Sequence, residues 1–215
     1  MPYNKYGEKI RRRFDPSEDP CYSSVPRSEL VFYNPDKNIS QLRMKIVSKP
    51  NPIPDDMTLV VHIDGACRSN GRPTARASYG VYFGPNSPYN WKGLLDESLP
   101  QTSTRAEIEA LVQALPMIVV ITHFDRRLTR VKIATDSSFL VKAISQWIER
   151  WIKNGGVGSN GRQVAHFQVL RYLHKQLDRI GNGINGVGRE IQLWHVPRNM
   201  NREADALANK ALDEA

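Results

Sequence analysis

TLVVHIDGACRSNG, residues 58–71, is the stretch that decides the fold. Leu59, Val60, Val61, His62 and Ile63 read as a strand, bounded by the turn-forming pair Asp64-Gly65. Working downstream, Ala77–Phe83 and Trp91–Leu95 read as two further strands. Gly71 and Pro73, then Gly84 to Pro88, supply the turns between them, so the three strands form an antiparallel meander. A helix is predicted from about Thr104 to Ile121, with Leu111, Ala114, Leu115 and Ile118 on one face and Pro116 bending it. Then come a strand at Arg130–Thr135, a helix from Ser137 to about Ile152, a glycine-rich loop at Gly155–Gly161 and a helix from about Gln163 to Ile180. A second glycine-rich stretch, Gly181–Gly188, leads to a strand at Glu190–Val196 and a last helix from about Asn201 to Ala215. The later strands alternate with helices and so add in parallel. The expected fold is α/β: a mixed five-stranded sheet, three strands antiparallel and two parallel, with helices on both faces.

Upstream, residues 1–57 hold eight of the fourteen prolines, among them Pro50, Pro52 and Pro54. They read as a mostly irregular, Pro-rich N-terminal extension with a short strand at Leu30–Tyr33, ending in a stiff linker before a domain at 58–215. The 215 residues thus accommodate one domain with a sizeable core. A net charge of +8 suits a polyanionic partner but does not by itself name one. Cys21 and Cys67 lack metal-type spacing and argue against a disulfide framework, which favours a reducing compartment. No apolar run approaches the roughly 18 residues of a membrane span, and no signal peptide is expected. The expected setting is intracellular, nuclear or cytoplasmic with the mitochondrion left open; monomer is the default and no membrane partner is expected.

Four acids sit at informative places. Asp64 ends the first strand, Glu107 opens a helix, Asp136 ends the fourth strand and Asp205 lies one turn after Asn201. Each has an ordinary explanation: a turn aspartate, a Thr-x-x-Glu capping box with Thr104, a helix N-cap, and a solvated helical acid. Those explanations do not account for convergence. In the inferred sheet the first and fourth strands are parallel neighbours, which brings Asp64 and Asp136 together, and two helices can deliver Glu107 and Asp205. Carboxylates gathered so closely repel unless cations sit among them, and magnesium suits such hard oxygen donors.

The strings HIDGACRSNG, TSTRAEIEAL, IATDSSFLVKAISQWIERWIKNGG and WHVPRNMNREADALANKAL, in this order and spacing, resemble the type 1 ribonuclease H family over about 155 residues. The likeness is to its compact form lacking a loop histidine before the last catalytic aspartate. The resemblance implies a ribonuclease H-like fold and an endonuclease that hydrolyses the RNA strand of RNA–DNA hybrids, leaving 5′-phosphate and 3′-hydroxyl ends. Asp64, Glu107, Asp136 and Asp205 would be both catalytic and metal-binding, holding two Mg2+ ions, with Mn2+ as a possible substitute. Asp64 would bridge the ions. By the same resemblance Asn70 would meet the hybrid in its minor groove, Phe139 and Trp147 would line the channel for the DNA strand, and Thr102 and Ser159 would contact phosphate. Arg150, Lys153 and Arg162 would form a basic handle. Core or helix-face packing is the ordinary reading of the two aromatics, and a solvated surface that of the three cations.

Departures from the family pattern gather around the acids. Pro197–Asn201 is short and contains no histidine; His195 lies in the preceding strand. Arg202 stands where the family has a glutamate. Ser103 and Thr104 replace hybrid-reading residues, while Pro100 and His166 replace an arginine and an asparagine of the phosphate pocket. The alternative reading is therefore a catalytically weak or inactive ribonuclease H-like nucleic-acid-binding module; a nuclease domain acting beside a polymerase is a third. The handle has its own test. Neutralising Arg150, Lys153 and Arg162 together is expected to flatten the dependence of hybrid binding on salt, measured as log K against log salt concentration, and an unchanged slope removes the handle.

Overall fold

The computed structural model describes residues 12–183 and 188–215. Residues 184–187 of the second glycine-rich stretch lie outside them. The central strands are β5 (Thr58–Arg68), β6 (Arg76–Tyr82), β7 (Trp91–Leu94), β8 (Arg130–Thr135) and β9 (Glu190–His195). β5, β6 and β7 form the antiparallel meander, and β8 pairs with both β5 and β9 in parallel. The mixed sheet expected from the sequence is present in these five strands.

The extension differs from its expectation. Its described part contributes β1 (Arg13–Phe14), α1 (Arg27–Leu30), β2 (Val31–Asn34), β3 (Ile39–Met44) and β4 (Ile53–Pro54). These strands enlarge the sheet to nine among the described residues. β1 lies parallel to β9 on the outer edge, while β3 joins β5 at Ser40↔Val60, where the β6 pairing has ended. Proline density signals where the chain cannot form regular ladders, but it does not reveal two- to six-residue strands whose partners lie far away in sequence.

Burial divides into two layers. On one face, Leu59, Val61, Ile63, Ile133 and Leu193 pack against α2 (Ser103–Phe124) and α5 (Phe167–Asn182). Here α2 buries Ile108, Leu111, Ala114, Leu115 and Ile118. Its 22 residues, with mean hydropathy 1.4 over the most apolar window, have the length and apolarity of a membrane span, which corrects the sequence reading that no run approaches it. Half of that window is buried inside the protein, the pattern of a core helix. Pro116 is accommodated inside α2.

On the opposite face, Val60, Ala134 and Trp194 meet Phe14, Tyr22, Val25, Leu30 and Leu42. The extension is thus the second apolar layer over β5, β8 and β9. Polar groups reinforce it: the buried Asp55 accepts from Tyr22 Oη at 2.5 Å and from Arg130 at 2.8 Å. Lys132, also buried, lies 4.6 Å from the Phe14 ring centroid and donates to Gln192. Beside the extension, α6 (Arg202–Asp213) covers β6 and β5.

The helical path after β8 is not uniform. α3 (Ser138–Lys142) passes into a π-helical turn at Ala143–Trp147 and then α4 (Ile148–Lys153). Such turns recur at functional sites.

Leu42, fully buried, tests the second layer. Leu42→Ala is expected to lower stability by about 2–5 kcal/mol, in a single urea transition shared with the rest of the domain. An unmoved transition would show that the extension is a separate arm.

Candidate active site

The site forms where β5 and β8 reach the carboxyl end of their parallel pairing. Asp64 was expected to end its strand, but β5 continues to Arg68 because β6 pairs with it through Arg68↔Arg76. The parallel ladder with β8 stops at His62↔Ala134, so Asp64 and Asp136 each lie two residues beyond the last residue that their strands pair in that ladder.

Two close backbone approaches deliver the helical acids. A Cβ at Gly65 would lie 2.2 Å from the Glu107 backbone nitrogen, so only glycine lets α2 settle against β5 beside Asp64. Gly80 stands directly across the ladder from Asp64. A Cβ there would lie 2.4 Å from the Ala204 carbonyl oxygen, so α6 also comes to backbone contact next to Asp205.

Each flanking acid has a protein partner. Ser137 Oγ donates to Glu107 and accepts from Leu140 N at 3.2 Å, making Ser137 the N-cap of α3 instead of Asp136. Glu107 therefore does not close a capping box with Thr104; the N-cap of α2 is Thr102, whose hydroxyl accepts from Arg105 N at 3.2 Å. The buried Asn201 amide donates to Asp136 Oδ1 and to the Ile63 carbonyl, both at 3.1 Å, which ties the middle of β5 and the residue after β8 to the start of α6. Asp205 accepts from the exposed Arg198 at 3.3 Å. His195 Nε2 lies 3.2 Å from the Asp136 carbonyl oxygen. Sequence reasoning passed over Ser137, Asn201 and Arg198 as positioning groups. Their signal was adjacency: Ser137 follows Asp136, and the other two occupy the short loop before Asp205.

The electrostatics follow from this crowding. Burial pushes the Asp64 carboxyl up to about 8, with the negative field of Asp136 next in size and those of Asp205 and Glu107 adding to it; the Gly65 N–H opposes them. Glu107 is raised mainly by burial, against the lowering effect of the Ser137 hydroxyl, and further by Asp136. Asp64 thus feels all three other acids and Glu107 feels Asp136, but among the described residues no three of them are closed around a single ion-binding point. Their bonds to Ser137, Asn201 and Arg198 hold them in this arrangement. A divalent cation fits the chemistry: the donors are all hard oxygens, and positive charge reverses the effect that raises Asp64.

Six of the eight residues assigned to substrate fall between Phe139 and Arg162. Phe139 and Trp147 are half-buried with ring centroids 6.3 Å apart, and Trp151, missed in the sequence, extends the row at 5.6 Å from Trp147. Arg150 and Lys153 are exposed on α4, and Ser159 and Arg162 on the following loop; Asn70 is exposed in the β5–β6 turn. Thr102 is engaged in capping. Behind it, the buried Arg105 pairs with Glu109 at 2.8 Å, keeps NH1 without a partner, and helps lower the pKa of His166, where burial is the larger cause.

The model of the family described as RNase H matches residues 56–213. Ribonuclease H1 of Rattus norvegicus is 34% identical over 164 residues, covering 74% of this chain and 51% of that protein. Ribonuclease H of Hahella chejuensis is 28% identical over 158 residues, covering 74% of this chain and 95% of its own. The chain spans about half the length of the mammalian relatives it matches. A structure of the foamy viral protease-reverse transcriptase in complex with RNA/DNA hybrid superposes with a TM-score of 0.57 at 18% identity, covering 87% of this chain and 23% of that one, a likeness of fold.

The raised Asp64 has a measurable consequence. An acid whose pKa is higher folded than unfolded binds more protons in the fold, so stability falls as pH climbs from its ordinary 3.8 to about 8. In chelator, Asp64→Asn is expected to stabilise the protein against urea at pH values above that window and to lose most of this advantage below it. A gain independent of pH would contradict the raised value.

Proposed function

The chain belongs to the ribonuclease H family, and on that footing we propose that it is an endonuclease cutting the RNA strand of RNA–DNA hybrids. The observation that carries the reading is the buried Asp64 with three further carboxylates acting on it, each placed by a close packing contact or a specific partner. A protein that only bound nucleic acid would have no chemical use for a buried carboxyl whose ionised form its own surroundings oppose.

Asp64 would contribute to both of two metal positions, Glu107 and Asp136 to one, and Asp205 to the other. Magnesium, or manganese in its place, would supply Lewis-acid stabilisation of the scissile phosphate and an activated water, leaving 5′-phosphate and 3′-hydroxyl products. The protein's own residues do the orienting. Asn201 holds one Asp136 oxygen. Ser137 fixes the Glu107 rotamer. Arg198 neutralises Asp205 and is exposed enough to release it.

For the substrate, Asn70 would read the minor groove and Phe139 with Trp147 would flank the DNA strand. Arg105 beside Thr102 would offer phosphate a positive charge, and Ser159 with Arg150, Lys153 and Arg162 would add backbone contacts. The RNA–DNA hybrid is the proposed partner, bound by a monomer inside the cell.

Purified protein is expected to cleave a labelled hybrid in magnesium or manganese. Asp136→Asn should reduce the rate by more than about a hundredfold and Asn201→Ala by about 10–100-fold, the scale for outer partners of metal ligands. No cleavage by the unaltered protein in either metal would leave the binding-module reading, and equal cleavage by Asp136→Asn would trace the activity to another protein.

A further inference from the structure

A pocket of about 360 Å³ opens between the extension and the catalytic domain. Its position follows from the sheet. β1 is parallel to β9, so β5, β8, β9 and β1 present their carboxyl ends along one edge. Open α/β sheets bind ligands along such an edge. The acids occupy its β5–β8 portion, and the pocket occupies its β9–β1 portion.

The two sites share a wall. Ser138 lines the pocket two residues after Asp136, and His195, also in the lining, reaches the Asp136 carbonyl oxygen. A nucleic acid with a phosphate at the acids would therefore have the pocket next to it along the same edge.

The lining suits one nucleotide. Pro16, Val141 and Met200 offer apolar surface for a base, and Arg13, Arg27 and Lys142 bring three cations against the single carboxylate of Asp15. Asp15 is already engaged by Arg13 at 2.9 Å and by Ser17. Arg27 and Lys142 are exposed and make no ion pair among the described residues, so both remain available to phosphate. The volume lies at the lower end of the roughly 300–1,000 Å³ typical of small-ligand sites.

We propose that this pocket is a second nucleic-acid contact, taking a nucleotide of the RNA strand where it runs off the catalytic acids, and that the extension serves to build it. The inference rests on the hybrid-nuclease reading, and the test separates the two. Binding is measured across a salt series in an Asp136→Asn background, with a blunt hybrid and with the same hybrid carrying a single-stranded RNA overhang at its 5′ or its 3′ end. One overhang polarity is expected to tighten binding and to steepen the slope of log K against log salt by about 1.4, the value for two single-strand phosphate contacts. Arg27→Ala with Lys142→Ala should bring the overhang-to-blunt ratio back to one. A protein that binds the blunt hybrid, and cuts it when Asp136 is intact, but ignores both overhangs would overturn the pocket and leave the nuclease reading standing. So would a double variant that weakens blunt and overhang forms alike. Failure to bind or cut any hybrid would overturn both.

Discussion

Three carboxylates crowd the buried Asp64 at one edge of this sheet, and the repulsion centred on it is the constraint that the surrounding structure must withstand. Burial opposes ionisation of Asp64, and Asp136 opposes it further. The acids stay together because packing elsewhere holds them there. The apolar layer between the sheet and helices α2 and α5 fixes α2, and Gly65 lets that helix reach backbone contact. Gly80 does the same for α6 on the other face. The repulsion is thus offset by hydrophobic burial distributed over both layers.

Local partners refine what packing sets coarsely. Ser137, Asn201 and Arg198 each engage one acid, through a hydroxyl, an amide and a guanidinium. The first two are held in turn by the backbone, Ser137 by capping α3 and Asn201 by its bond to Ile63. Arg198 is different: exposed and bound by a single 3.3 Å contact, it is the partner most easily displaced.

The central five strands were legible because each is a continuous apolar or alternating run closed by turn residues, and their order left few topologies. The four acids were legible as a set once the parallel pairing of β5 with β8 was inferred. The exchange of capping roles, with Thr102 and Ser137 in place of Thr104 and Asp136, was not: all four are plausible caps, and tertiary contacts choose among them. Nor was the layer built by residues 12–57, since β1 has only two residues and its partner lies 180 positions away. Tyr22 and Leu42 look unremarkable in a proline-rich segment until they are seen in one buried cluster with Val60, Ala134 and Trp194.

The π-helical turn at Ala143–Trp147 bears on the row of aromatic rings. Phe139 and Trp147 are eight positions apart. In an uninterrupted α-helix, at about 100° per residue, their directions would diverge by roughly 80°. The widened turn absorbs about one residue, so the pair behaves as if seven apart and the divergence falls to about 20°. The phase of everything beyond it, Trp151, Arg150 and Lys153 included, is set by this one backbone irregularity. Deleting a single residue within the turn would restore a regular helix with that phase preserved, whereas deleting one between Phe139 and the turn would rotate Trp147, Trp151 and the basic residues together relative to Phe139.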